Sequence, residues 1–168
     1  MAQMTPQPGT GFLLAHAARL RAYLRMLLGN QHDAEDVLQE VWIKFLRRAS
    51  GLQGDDAMRW LMRVARNDAL NALRASRRRT AREGAYAPAR PAELSPDEQA
   101  QRSESLARIE SAMRKLDVEV REMVYLKLVE ELPYREIAGR VGLPKSTVCL
   151  RVQEGLVRLS RHFHGEAS

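Results

Sequence analysis

The sequence has a single cysteine, Cys149, in 168 residues. No disulfide can close within the chain, which fits a reducing compartment. Aromatic residues make up only 5%, so a core has to be built mainly from aliphatic side chains. No apolar run approaches the ~18 residues of a membrane span. Met1 to Gly11 lacks a basic start followed by an apolar stretch, so no secretory leader is expected. Strand-like alternation, internal repeats, a phosphate-cradling glycine loop, a nucleophile–base set and a metal cluster are all missing. The expectation is a soluble, cytoplasmic, non-enzymatic protein with no cofactor, no catalytic residues, no metal site and no membrane insertion.

Alanine, leucine, arginine and glutamate dominate what is present, and these are helix formers. The hydrophobic share is 45%, enough for a packed core, and the formal net charge is +6. A basic balance favours an anionic partner without choosing between nucleic acid and an acidic surface.

Three helical segments come first. Phe12, Leu13, Ala17, Leu20, Leu24, Leu27 and Leu28 mark one that Gly29-Asn30 stops. Ala34, Val37, Leu38, Val41, Trp42, Phe45 and Leu46 step by three and one along a second, a single apolar stripe with Asp33 placed to cap it. Its opposite face carries Glu35, Asp36, Gln39, Glu40 and Lys44. After the loop Ser50 to Gly54, a third helix runs from about Asp55 to Arg78. Its apolar positions are Ala57, Trp60, Leu61, Val64, Ala65, Ala69, Ala72 and Leu73, and its last turns hold Arg74, Arg77, Arg78 and Arg79.

Thr80 to Ala100 has no apolar period and contains Pro88, Pro91 and Pro96, so it reads as a flexible linker. A helix from about Pro96, capped by Ser95, reaches Leu116 through Leu106, Ile109 and Met113. Another from Val118 to about Val129 carries Val120, Val124, Leu126 and Leu128. The fold class is therefore all-α: two small helical domains, 10–79 and 101–165, joined by a linker at 80–100.

The segment LPYREIAGRVGLPKSTVCLRV, Leu132 to Val152, has the spacing of a helix-turn-helix. Pro133 suits a helix start, Ile137, Ala138 and Val141 an inward face, and Gly142 a turn with positive φ. Leu143 can plug the turn and Pro144 open the next helix. Val148 and Val152 then face back onto the first helix. Lys145, Ser146, Thr147, Cys149, Arg151 and Gln153 project from the early turns of the second helix, the part that meets base edges when such a helix enters the major groove. The alternative for this segment alone is a plain helical hairpin with glycine as a cap.

Both halves resemble one family, the extracytoplasmic-function (group IV) sigma factors of bacterial RNA polymerase. The resemblance rests on HDAEDVLQEVWIKFLRR (His32 to Arg48), WLMRVARNDALNALRASRRR (Trp60 to Arg79) and LVEELPYREIAGRVGLPKSTV (Leu128 to Val148). It implies that the first unit is sigma region two and the second is region four. The second helix would bind the β′ clamp helices of core polymerase through Glu35, Asp36, Gln39, Glu40 and Lys44. The third helix and the loop before it would capture unstacked bases of the −10 promoter element through Arg63, Arg66, Asn67, Asn71, Arg74, Arg77 and Arg78. Lys145, Ser146, Thr147, Arg151 and Gln153 would read the −35 element as duplex. The linker would thread the polymerase channel, and an anti-sigma factor is an implied partner. The sequence departs from the family where the usual GTVKSRLxRAR reads STVCLRVQEGL: Cys149 and Leu150 replace Lys and Ser, and Glu154 and Leu156 replace two Arg. Asn71 replaces a frequent Asp, and Leu116-Asp117 a usual Leu-Pro.

Two other functions compete with promoter-directed initiation. A stand-alone helix-turn-helix regulator would bind a palindromic duplex without polymerase. A sigma-like decoy would bind polymerase without initiating, an idea motivated by Cys149, Leu150 and Glu154. Trp42 and Trp60 sit on apolar stripes and read as core. Cys149 reads as an inert thiol, and His162 with His164 lacks the further ligands a metal needs.

Overall fold

The computed structural model describes residues 10–48, 52, 54–82 and 104–165. The chain divides into two compact units, Met1–Glu93 and Leu94–Ser168. Among the described residues every regular element is an α-helix. The first unit holds α1 (Thr10–Leu28), α2 (Gln31–Arg48) and α3 (Gly54–Arg82). The second holds α4 (Glu104–Arg114), α5 (Val118–Leu128), α6 (Tyr134–Val141) and α7 (Lys145–Gly165).

In the first unit all three helices pack against one another. Their shared core is Leu13, Leu20, Tyr23, Leu24, Leu27 and Leu28 from α1, and Ala34, Val37, Leu38, Val41 and Phe45 from α2. From α3 it takes Ala57, Met58, Leu61, Met62, Ala65 and Ala69. Small alanines on α3 let its backbone approach the other two helices closely. Phe12 stacks on Phe45 with ring centroids 5.9 Å apart, and Trp60 tilts against Phe45 at 6.0 Å. Two stripe residues depart from expectation. Leu46 is exposed and Trp42 half-buried, because the core takes a narrower arc of α2 than the apolar periodicity spans.

The α1–α2 turn also differs from the sequence reading. Gly29 takes φ 79° and donates its N–H to Arg25 O at 2.8 Å, closing α1. The N-cap of α2 is Asn30, not Asp33. The Asn30 Oδ1 accepts the Asp33 N–H at 2.8 Å, and the Asn30 Nδ2 donates to the Asp33 carboxylate at 2.8 Å. Asp33 is the third helical residue, and the pair closes reciprocally in the manner of a capping box.

Helix α3 has 29 residues, about 43 Å at ~1.5 Å per residue. It runs on through Thr80–Arg82, so the stretch read as linker begins as helix. Ala69 is the last fully buried side chain among those described on α3. The basic last turns therefore project past the three-helix core. The expected helix start at Ser95-Pro96 lies outside the described residues.

The second unit is built around α5, where Glu122, Met123, Val124, Tyr125 and Leu126 are buried in succession. Ala112, Leu116, Ile137, Val148 and Val152 close on it. The side chain of Arg121 reaches back to cap α4, donating to the carbonyls of Met113 at 2.9 Å, Arg114 at 3.0 Å and Leu116 at 3.0 Å. Ile109 and Leu128, both expected inside, are exposed, and α4 instead buries Ala112. A Cβ on Gly155 would stand 2.8 Å from both Val120 Cγ1 and Val124 Cγ2. Glycine there is what lets α7 cross α5 at its observed distance.

Candidate nucleic-acid interface

The helix-turn-helix forms as its residues require. Pro133 precedes α6 with φ −67° and ψ 147°, and its carbonyl accepts the N–H groups of Glu136 and Ile137 at 2.9 and 3.2 Å. Gly142 ends α6 at φ 74°, ψ 31°, a left-handed conformation open to glycine at little cost. Its N–H and that of Leu143 both reach Ala138 O, at 2.9 and 3.3 Å. The Val148 N–H returns to Pro144 O at 3.0 Å, starting α7. Ile137, Val148 and Val152 are fully buried between the helices. Before the motif, the Lys127 ammonium lies 5.0 Å from the Tyr134 ring centroid and 3.4 Å from Leu132 O, tying α5 to the start of α6.

With Val148, Val152 and Gly155 inward, the opposite side of α7 presents Ser146, Leu150, Gln153, Glu154 and Val157. Lys145 is exposed at the helix start and Thr147 is half-buried. Leu150 is 57% exposed and Val157 49%. Arg151, one of the expected DNA contacts, turns sideways: its Nη1 donates to Glu119 Oε2 on α5 at 2.9 Å. Glu119 was not singled out by the sequence, since nothing local in the chain pairs it with a residue 32 positions away.

On α3, Arg63, Asn67, Asn71, Arg74, Arg77 and Arg78 are exposed and follow the helical repeat along one outward stripe, while Arg66 is half-buried at its margin. The Arg74 Nη1 donates to Asn71 Oδ1 at 3.3 Å, a hydrogen bond within the stripe itself. This face lies opposite Leu61, Ala65 and Ala69, so the packing that buries the alanines turns the arginines to solvent.

On α2, the five residues expected to face a partner separate into two sets. Asp36, Gln39 and Glu40 are exposed on the outward side, with His32 Nε2 3.6 Å from the Asp36 carboxylate. Glu35 instead pairs with Arg21 of α1. Lys44 donates to both oxygens of Asp68 on α3 at 2.7 Å. Those two bridges hold the three helices together rather than extending outward. Ile43, 42% exposed, stands in the middle of the outward face and escaped the sequence reading because it lies off the apolar stripe.

Among the described residues no group of His, Cys, Asp and Glu could hold a metal, and no helix is long and apolar enough to cross a membrane. The Nδ1 of His162 lies 3.2 Å from the Lys115 ammonium. Cys149 is a half-buried free thiol.

A helix-turn-helix in one helical unit and an arginine-studded helix face in another are the marks of a nucleic-acid-binding protein. The Sigma-70 region 2 family matches residues 12–79, and Sigma-70 region 4 matches residues 106–159. The chain is 32% identical over 153 residues to RNA polymerase sigma factor CarQ of Myxococcus xanthus, covering 90% of this chain and 86% of CarQ. It is 34% identical over 157 residues to ECF RNA polymerase sigma factor SigE of Mycolicibacterium smegmatis, covering 91% of this chain but 60% of SigE. Among solved structures it resembles the sigma factor RpoE of Bartonella quintana, determined with the anti-sigma factor NepR. The TM-score is 0.76 at 22% identity, over 92% of this chain and 95% of that one, a likeness of fold. The chain belongs to the extracytoplasmic-function sigma factors.

Proposed function

We infer that this chain directs core RNA polymerase to promoter DNA, with each helical unit making its own contact. The observation that carries the reading is the outward stripe of α3. Arg63, Asn67, Asn71, Arg74, Arg77 and Arg78 line one face of a helix that outruns its core. A basic face with interleaved amide side chains suits a strand whose bases have left the stack: guanidinium groups follow the phosphates and amides meet base edges. Arg66 belongs to the margin of that contact. In the second unit Lys145, Ser146, Thr147, Arg151 and Gln153 sit on or beside the part of α7 that a major groove would receive.

The polymerase contact falls on the outward side of α2. Asp36, Gln39 and Glu40 offer acceptors and Ile43 an apolar centre, a combination that suits a basic partner helix. Glu35 and Lys44 act at one remove, holding α2 against α1 and α3. The proposed boundaries are 10–79 for region two, 80–100 for the linker and 101–165 for region four. An anti-sigma factor is a further expected partner, and a cytoplasmic setting follows from contact with polymerase. No covalent chemistry is assigned to the chain; nucleotide addition belongs to the polymerase.

Run-off transcription with purified core polymerase on fragmented host DNA tests the reading. Discrete transcripts that require this chain are the expected result. Core binding without transcripts would favour a decoy, which the neutralised Arg151 and the outward Glu154 make the reading to beat. Absence of core binding would leave a stand-alone regulator.

A further inference from the structure

We propose that Leu150 is a specificity-determining residue that reads the C5-methyl group of a thymine in the upstream duplex element. The proposal rests on the reading of α7 as a recognition helix and deepens it. Leu150 is the sixth residue of α7, within the early turns that reach base edges when such a helix enters the major groove. It stands opposite the buried pair Val148 and Val152 and is 57% exposed, the centre of the face the groove would receive.

Past Lys145, the chemistry of that face disfavours the commonest readout. Guanine is usually taken by an Arg or Lys donating to O6 and N7. On α7 past its first residue, the first cation is Arg151, and its guanidinium is drawn sideways onto Glu119 at 2.9 Å. The next, Arg158, lies two turns further along, 3.8 Å from the Asp117 carboxylate. The outward groups from Leu150 to Arg158 are Leu150 itself, Gln153, Glu154 and Val157. The thymine methyl is the only base edge in the major groove that an aliphatic side chain can select. Gln153, three residues on and on the same side, can pair with an adenine. The two together favour an A·T-rich step under the second turn of α7. Val157 lies too far along the helix to share the contact and is left outside it.

The test uses holoenzyme assembled from the full chain and core polymerase. Upstream duplexes are enriched from a randomised pool. Each thymine of the enriched element is then replaced singly by uracil, which lacks only the methyl group. The expected result is one position where uracil weakens binding by about three- to tenfold, the effect of one buried methyl group. In the Leu150→Ser variant the same replacement should change binding less than twofold. Indifference of the unsubstituted protein to uracil at every position would overturn the proposal and leave the promoter reading standing. So would an equal uracil penalty in Leu150→Ser. Loss of core binding in Leu150→Ser would reassign the residue to a protein contact. Failure to enrich any upstream element would remove both the proposal and the reading of α7 beneath it.

Discussion

The two helical units differ in the electrostatic means with which, on the proposed function, each would meet nucleic acid. In residues 10–82, Lys and Arg outnumber Asp and Glu 14 to 7; in residues 104–165 the ratio is 11 to 9. The first unit uses two acids between helices, Asp68 on Lys44 and Glu35 on Arg21, and no acid interrupts the outward stripe of α3 from Arg63 to Arg78. The second places acids beside its cations, Glu119 on Arg151 and Asp117 near Arg158. A projecting basic helix suits a flexible single strand, whose phosphates can be followed whatever the bases are. A second unit this close to neutral gains little from phosphate attraction, so on the proposed function its contribution would have to come from base edges. On the proposed function, the difference would assign affinity mainly to the first unit and upstream discrimination to the second.

The largest effect should come from reversing the stripe. Arg74→Glu with Arg77→Glu is expected to lower run-off transcription by at least ~100-fold while core binding holds. The salt dependence of open-complex formation should flatten by roughly 1.4, the loss of two single-strand phosphate contacts at ~0.7 each. A drop in transcription with an unchanged salt slope would place these arginines off the nucleic acid and dissolve the contrast between the units.

Next in size is a structural change confined to the second unit. Gly155→Ala puts a Cβ against the stiff side chains of Val120 and Val124, both 2.8 Å away. Overpacking of this kind costs about 1–3 kcal/mol. Thermal unfolding should show a lower midpoint for the second unit alone, with the first unchanged. A single shifted transition would show that the units unfold together.

Periodicity told where the helices lie and which broad face each turns inward, because the 3.6-residue repeat is a property of one segment. The α2 stripe, the Gly142 turn and the inward Val148 and Val152 were all legible that way. Partners across helices were not. Lys44 and Arg151 look free in the sequence because Asp68 and Glu119 lie 24 and 32 positions away. Leu46 reads as core because periodicity gives an angle about the helix axis but not the width of the neighbour covering it. Met58, Met62, Met123 and Tyr125 do not stand out as core for a related reason: α3 and α5 are covered over a wider arc than one stripe. Asn30 looks like a stop signal in the sequence, although its side chain also begins the next helix.

A third prediction separates polymerase binding from DNA binding. Ile43→Glu should weaken the complex with core polymerase about tenfold, since a charge would enter the apolar centre of the α2 face. Stability should hold, because Ile43 is 42% exposed and outside the core. Binding to core at undiminished affinity would move the polymerase contact away from this face and leave α2 a purely structural element.

The smallest effect concerns the ion pair that neutralises Arg151 on α7. Glu119 and Arg151 are both substantially exposed, so their bridge contributes under about 1 kcal/mol to folding. Its consequence for DNA is larger than for stability, because a carboxylate on the guanidinium competes with a backbone phosphate. In Glu119→Gln the side chain keeps its size and loses its charge. Binding of the upstream duplex should then rise about two- to fivefold at low salt. The salt slope should steepen by about 0.9, the signature of one added phosphate contact. The thymine-to-uracil penalty should stay where Leu150 sets it, since the released arginine would engage the backbone rather than a base. A weakened duplex complex would reverse the interpretation: Glu119 would then orient Arg151 toward DNA, and the second unit would be less neutral in action than its charges imply.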